Sequence, residues 1–232
     1  MSEEWNQFIL GELKKDYMIK LKDFINEERK TKNVIPTKNN LFRALTLCPY
    51  ERLKVVILGS EPDSNYSDGL AFSNSIKTKM LDAIFDEIIN CEYVKFPTDK
   101  RNYDSIFPMT KLDCWAKQGV LLLNTTLTSI KDTPEAHAKI GWQYFIVNLI
   151  EYLNTYKYPI VYMLWGKQHV FEQYIDVKKH HVLRADHPLQ RKTDNSFKGC
   201  AHFSKANMLI KKRNVDEFRE QNKLITINWS TR

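Results

Sequence analysis

Glycine is scarce in this chain, with seven in 232 residues, and none of them clusters into a phosphate-cradling loop, so a nucleotide cofactor has no support. Cysteine is scarce too. Cys48, Cys91, Cys114 and Cys200 show no paired spacing, and the close sets Cys200-Ala201-His202 and His180-His181 do not recur at the intervals zinc or iron–sulfur ligation needs. Neither a metal nor a disulfide framework is therefore expected, and each cysteine is read as structural. Long apolar runs are absent as well: Val120–Leu123 and Pro159–Trp165 fall far short of the ~20 residues a membrane span requires. The opening Met1-Ser2-Glu3-Glu4-Trp5 is acidic and lacks a secretion segment, so the expected setting is reduced and cytoplasmic, with no membrane partner.

What the chain does have is a globular composition, 43% hydrophobic and 12% aromatic, and an excess of 35 Lys and Arg over 28 Asp and Glu. That length supports a single domain over residues 1–232 with a substantial core, and the net charge of +7 favours a polyanionic partner such as nucleic acid. Its Lys- and Asn-rich character suggests an AT-rich genome of bacterial, phage or viral origin; in a eukaryotic host the nucleus would be the compartment.

The first thirty residues place Trp5, Phe8, Ile9, Leu13, Tyr17, Leu21, Phe24 and Ile25 at three- and four-residue spacing, an amphipathic helical pattern. Four β-branched or apolar runs follow, Leu53–Gly59, Gly119–Asn124, Pro159–Gly166 and His180–Ala185, each ending in polar residues. Helical stretches over Lys79–Ile89, Gly141–Leu153, Gln168–Tyr174 and His202–Lys212 separate or follow them. Strands alternating with helices of this length predict a three-layer α/β/α fold around a mostly parallel four-stranded sheet. Residues 90–111 read as an ordered connection, and 216–232 as the flexible end.

In such sheets ligands bind beyond the carboxyl ends of the strands. Those ends carry Glu61 and Asp63, Asn124, Gly166 and Lys167, and His187. A carboxylate can stabilise a developing cation or orient a water, an amide can read a donor and acceptor edge, and an imidazole can hold a developing oxyanion. The set suits cleavage of a bond to a leaving anion. Taken singly, each has a plainer reading: loop solvation for Glu61 and Asp63, a strand-ending turn for Asn124, a satisfied loop histidine for His187.

Together the motifs resemble those of family 1 uracil-DNA glycosylases, in order along essentially the whole chain. Val55–Pro62 followed by Gly69–Ser73 is similar to the family's water-activating loop and uracil-stacking phenylalanine. Trp115–Thr128 resembles its second motif, Leu164–Lys167 its Gly-Ser loop, His180–Pro188 its intercalation strand and loop, and Phe197–Asn207 its closing segment. Glu27-Glu28-Arg29 and Ile227-Asn228-Trp229 also have counterparts. The resemblance implies base excision without a cofactor: Phe72 stacks on a base flipped out of DNA, Asn124 bonds its Watson–Crick edge, and His187 stabilises charge on the pyrimidine O2. Ser60 and Asp63 would also border the base. Pro62, Gly166, Lys167, Pro188, Leu189, Arg191 and Ser204 would contact the DNA backbone. A monomer is implied, with a protein partner or proteinaceous inhibitor as a further possibility.

The departures from the family pattern are specific. Ser60-Glu61-Pro62-Asp63-Ser64 stands where the family has Gln-Asp-Pro-Tyr-His, so Glu61 takes the catalytic aspartate's position one methylene longer, and Asp63 replaces the tyrosine that crowds the pyrimidine C5. Tyr66 is a candidate to refill part of that space. Asn74–Lys79 lacks the expected prolines, Pro134-Glu135-Ala136-His137 replaces Ala-x-Ser-His, and Arg191 holds the intercalating position, as in poxviral members that also serve as replication subunits. Two readings stay open: a glycosylase for uracil, with C5-substituted uracil admitted if Asp63 opens the pocket, and a catalytically impaired DNA-binding or protein-interaction module. An acid at Asp63 would repel a developing base anion unless turned outward.

Overall fold

A computed structural model describes residues 1–63, 67–91, 103–190, 194–217 and 226–232. Along the chain the helices are α1 (Glu3–Glu12), α2 (Asp16–Thr31), α3 (Arg43–Leu47), α4 (Lys79–Asn90), α5 (Tyr103–Ile106), α6 (Asp113–Lys117), α7 (Trp142–Asn154) and α8 (His202–Glu217). The strands are β1 (Val34–Ile35), β2 (Val55–Gly59), β3 (Val120–Asn124), β4 (Ser129–Ile130), β5 (Val161–Trp165) and β6 (His181–Ala185).

The main sheet runs β3-β2-β5-β6 with every neighbouring pair parallel. All five residues of β2, β3 and β5 are buried, and because successive side chains point to opposite faces, both faces must be covered. Their unbroken apolar composition, Val-Val-Ile-Leu-Gly, Val-Leu-Leu-Leu-Asn and Val-Tyr-Met-Leu-Trp, follows from that double cover. The expected three-layer α/β/α architecture is therefore what the chain adopts. The outer strand β6 differs: four of its five side chains are partly or fully exposed, as a sheet edge permits.

Register aligns the four carboxyl ends. Gly59 pairs with Asn124 and Trp165 with Ala185, so the loops after β2, β3, β5 and β6 open on one rim. A second, two-stranded ladder pairs Val34 with Ile130 and Ile35 with Ser129, and it anchors the segment after β3 beside that rim.

Several expectations need correction. The N-terminal amphipathic stretch is two helices, broken at Leu13-Lys14-Lys15, and the break lets Trp5 and Phe8 pack on Tyr152 while Leu21 and Ile25 fill a different part of the core. The 168–174 stretch belongs to a 3₁₀ helix over Gly166–Tyr174, its turn tightened directly after β5. Of the 90–111 connection, residues 92–102 lie outside the described residues.

The C-terminus is not a loose end where it is described. Ile227 and Trp229 are 2% and 1% exposed, and the Trp229 indole N–H donates to the Phe203 carbonyl at 3.0 Å. The Trp115 indole N–H donates to the Ser230 carbonyl at 3.0 Å, Gln118 exchanges hydrogen bonds with the Asn228 backbone, and the Thr231 N–H reaches the Ile106 carbonyl. No helix among the described residues is long and apolar enough to cross a membrane.

Candidate active site

A cavity of about 160 Å³ lies at the rim where the strands end. It is comparable with the ~150 Å³ cavities that hold one benzene ring, so it has room for a single six-membered ring. Ser60, Glu61, Asp63, Phe72, Asn124, His187 and Pro188 all line it, joined by Trp165, Gln168, Ser73, Asn74, Thr78 and Met80. The strand ends that sequence grammar singled out do meet at one place.

Asn124 closes β3 and is 7% exposed. Its amide rests over the Gly59 backbone, where an added Cβ would sit 2.4 Å from Asn124 Oδ1 and 2.9 Å from Ala71 Cβ. Glycine at 59 is thus what leaves room for that amide. The Asn124 side chain makes no hydrogen bond to any described residue, so a buried donor and acceptor pair faces the cavity unspent.

His187 follows β6 on a turn closed by the Gln190 N–H on its carbonyl. Its Nδ1 accepts the Leu189 N–H at 3.3 Å, which leaves Nε2 to carry the ring proton in the neutral form. Burial, and secondly the nearby Lys167 ammonium, push its pKa below the ordinary imidazole value. Gly166 packs on its flank: φ is +59° and a Cβ there would stand 2.9 Å from His187 Cβ. Any side chain at 166 would displace the imidazole.

Glu61 is half-buried, and both carboxylate oxygens are held. The Glu135 N–H donates to them at 2.9 and 3.0 Å, and the Ser129 hydroxyl stands 3.2 Å from Oε2. Glu135 has φ +58°, and its own side chain meets the Lys167 ammonium at 3.6 Å. The extra methylene of glutamate is therefore matched by a backbone donor on the loop after β4. Asp63 is exposed and belongs to the cavity lining.

Phe72 is part-buried, with its ring centroid 5.3 Å from that of Trp165. The Ser60 hydroxyl accepts from Gln168 Nε2 at 2.8 Å, and the Thr125 hydroxyl lies 3.2 Å from Gln168 Oε1, which ties the loops after β2, β3 and β5 together. Pro62 is buried behind the rim, Lys167 and Leu189 are exposed beside it, and the Ser204 hydroxyl donates to the Ala201 carbonyl in the first turn of α8. Arg191 and Tyr66 lie outside the described residues.

Sequence reasoning missed Gln168, Trp165, Ser129 and the Glu135 amide. Gln168 sits one residue past Lys167 in a polar stretch, and nothing in its type marks it as 4% exposed. Trp165 reads as the end of an apolar strand. A backbone donor such as Glu135 has no sequence signal at all. Burial pushes the Cys200 thiol up to about 12, and its sulfur lies beside the Glu87 carboxylate.

The chain is similar to known proteins of one family. A model of the uracil DNA glycosylase superfamily matches residues 45–211. A uracil-DNA glycosylase of Fusobacterium nucleatum is 37% identical over 214 residues, covering 91% of this chain and 92% of that protein. Another, from Coxiella burnetii, is 40% identical over 217 residues and covers 90% of each. Among solved structures, mimivirus uracil-DNA glycosylase superposes with a TM-score of 0.79 at 25% identity, over 92% of this chain and 84% of that one, and a Tyr-to-Leu variant of it was solved in complex with the protein UGI. With more than half its length matched by the family model and relatives above one-third identity across nine-tenths of the sequence, the chain belongs to the uracil DNA glycosylase superfamily.

Proposed function

We propose that the protein is a DNA glycosylase that hydrolyses the N-glycosidic bond of uracil flipped out of DNA, the first step of base excision repair. The observation that carries this reading is the convergence of Phe72, Asn124, His187 and Glu61 on one ring-sized cavity at the strand ends. Inside a duplex the scissile bond is out of reach, so the nucleotide is extruded into the cavity and read there. Phe72 stacks on the base and the unspent Asn124 amide pairs with its Watson–Crick edge, while a cavity sized for one six-membered ring leaves no room for a purine.

As the bond from C1′ to N1 lengthens, electrons pass to the base and the sugar becomes cationic. Neutral His187 donates Nε2–H to the pyrimidine O2, where negative charge collects; a donor already oriented by the Leu189 N–H needs no reorganisation at that moment. Glu61 supplies negative charge on the sugar side and orients the water that adds to C1′, with the proton of that water leaving through the carboxylate. The products are free base and an abasic sugar. No cofactor is required. Lys167, Gly166, Pro188, Leu189, Ser204, Pro62 and Arg191 make the backbone contacts, Lys167 adding phosphate attraction that weakens with salt. The chain acts as one monomeric domain, and an inhibitor of the kind bound to the mimivirus enzyme is its expected protein partner.

With Asp63 in the lining the cavity has no aromatic at that position, so tolerance of C5 substituents is part of the test. Single-turnover release of free base is measured from single-stranded and duplex oligonucleotides carrying one uracil, thymine or 5-hydroxymethyluracil. Uracil release that His187→Leu and Glu61→Ala each reduce by about 10²-fold or more is the expected result. Release no faster than those variants, with DNA binding intact, would instead make this a repurposed binding fold.

A further inference from the structure

Phe72 lines the cavity with φ at +64°, a left-handed backbone that a bulky side chain holds only when the chain on either side is fixed. Both sides are fixed by one carboxylate. Upstream, Asp68 Oδ1 accepts the Leu70 N–H at 3.1 Å; downstream, Asp68 Oδ2 accepts the Ser73 hydroxyl at 2.7 Å. Two further bonds tie the same segment to its surroundings, the Ala71 N–H to the Leu122 carbonyl at 3.0 Å and the Leu112 N–H to the Ser73 hydroxyl at 3.1 Å. Asp68 in turn is held by Arg43 of α3, whose Nη1 stands 3.1 Å from Oδ2 and whose Nη2 reaches Asp113 Oδ1 at 2.5 Å. The Arg43 and Asp68 side chains are only 20% and 15% exposed, and Arg43, Asp68 and Asp113 lie outside the cavity lining.

We infer that Arg43 is a positioning residue for base stacking: through Asp68 and Ser73 it clamps the backbone on both sides of Phe72 and so presets the ring beside Trp165 before a base arrives. The inference rests on the glycosylase reading for its consequence, not for its geometry. The planar guanidinium presents a separate nitrogen to each carboxylate, Nη1 to Asp68 and Nη2 to Asp113, where a lysine ammonium offers a single point charge. Ring placement matters because a shift of ~1 Å near the reacting groups can cost about 10²-fold in rate.

The experiment places Arg43→Gln, Arg43→Lys and Ser73→Ala in both the native and the Phe72→Ala background and measures single-turnover uracil release at limiting and saturating DNA. With Phe72 present, Arg43→Gln and Ser73→Ala should slow release by about 10-fold, and Arg43→Lys by less. With Phe72→Ala, the same changes should add little, because the ring they position is gone. Equal fractional losses in the two backgrounds would overturn the inference and mark Arg43 as a general support of the fold. A crystal structure gives a readout independent of activity: Phe72 should leave the left-handed region in Arg43→Gln, and a φ still near +64° would overturn the clamp. Should Arg43→Gln fail to fold, Ser73→Ala, which removes a single hydroxyl, carries both arms with the same outcomes. Absence of uracil release by the unmodified protein would defeat the glycosylase reading, while the φ measurement would still decide the clamp.

Discussion

At the scale of single residues, the state of His187 is set by neighbours as much as by its own chemistry. Burial foremost, and Lys167 after it, keep the imidazole neutral, and the Leu189 N–H selects the Nε2–H form. Removing the ammonium removes a repulsion against the protonated ring, so Lys167→Ala should raise the His187 pKa. The His187 Cε1–H resonance followed by NMR through a pH series checks this; a midpoint unmoved or lowered would show that Lys167 exerts no field there. Most of the chemistry-bearing side chains were legible because strand-ending polar residues after apolar runs announce a rim. What stayed hidden were contacts whose partners are backbone atoms or ordinary side chains far off in sequence. The Glu135 amide on Glu61 and the Gln168 amide on Ser60 arise from tertiary placement, 74 and 108 residues away, which no local pattern encodes.

Elements tell a similar story. Strands β2, β3 and β5 were readable to within a residue or two, since a doubly covered parallel strand has to be continuously apolar. The polar sequence between α8 and residue 226 gave the opposite impression for the C-terminal segment, where a single tryptophan outweighs its hydrophilic neighbours. Trp229 packs edge-on against Trp115 at 5.3 Å and against Phe203 at 5.0 Å. Trp229→Ala should therefore destabilise the fold by about 3–5 kcal/mol, the range for large aromatic truncations in a core. Urea unfolding measures it, and a loss below about 1 kcal/mol would mean the strap contributes little to the core.

For the whole molecule, acid is the informative perturbation. His180 and His202 are both buried, and desolvation lowers each to a pKa of about 4, from an ordinary 6.5. Both rings also spend a lone pair internally: His180 Nδ1 accepts the Ile160 N–H, and His202 Nδ1 accepts the Trp165 indole N–H. The unfolded chain binds more protons than the folded one between those values, so the stability is whole above pH 6.5 and is lost as pH falls to about 4. Urea midpoints taken from about pH 7 to about pH 4 should decline, each histidine contributing up to ~1.4 kcal/mol per pH unit; a flat profile would show that both rings protonate without cost. The C-terminal strap carries one more consequence, for synthesis. The Trp115 indole N–H waits for the carbonyl of Ser230, made 115 residues later, so during translation the hydrophobic pocket around Trp115 and Phe203 stays uncapped until the strap has left the ribosome. A nascent chain of this protein therefore exposes the apolar faces of Trp115 and Phe203 until the strap is made, by which time the candidate rim at residues 59–63, 124 and 187 has already been synthesised.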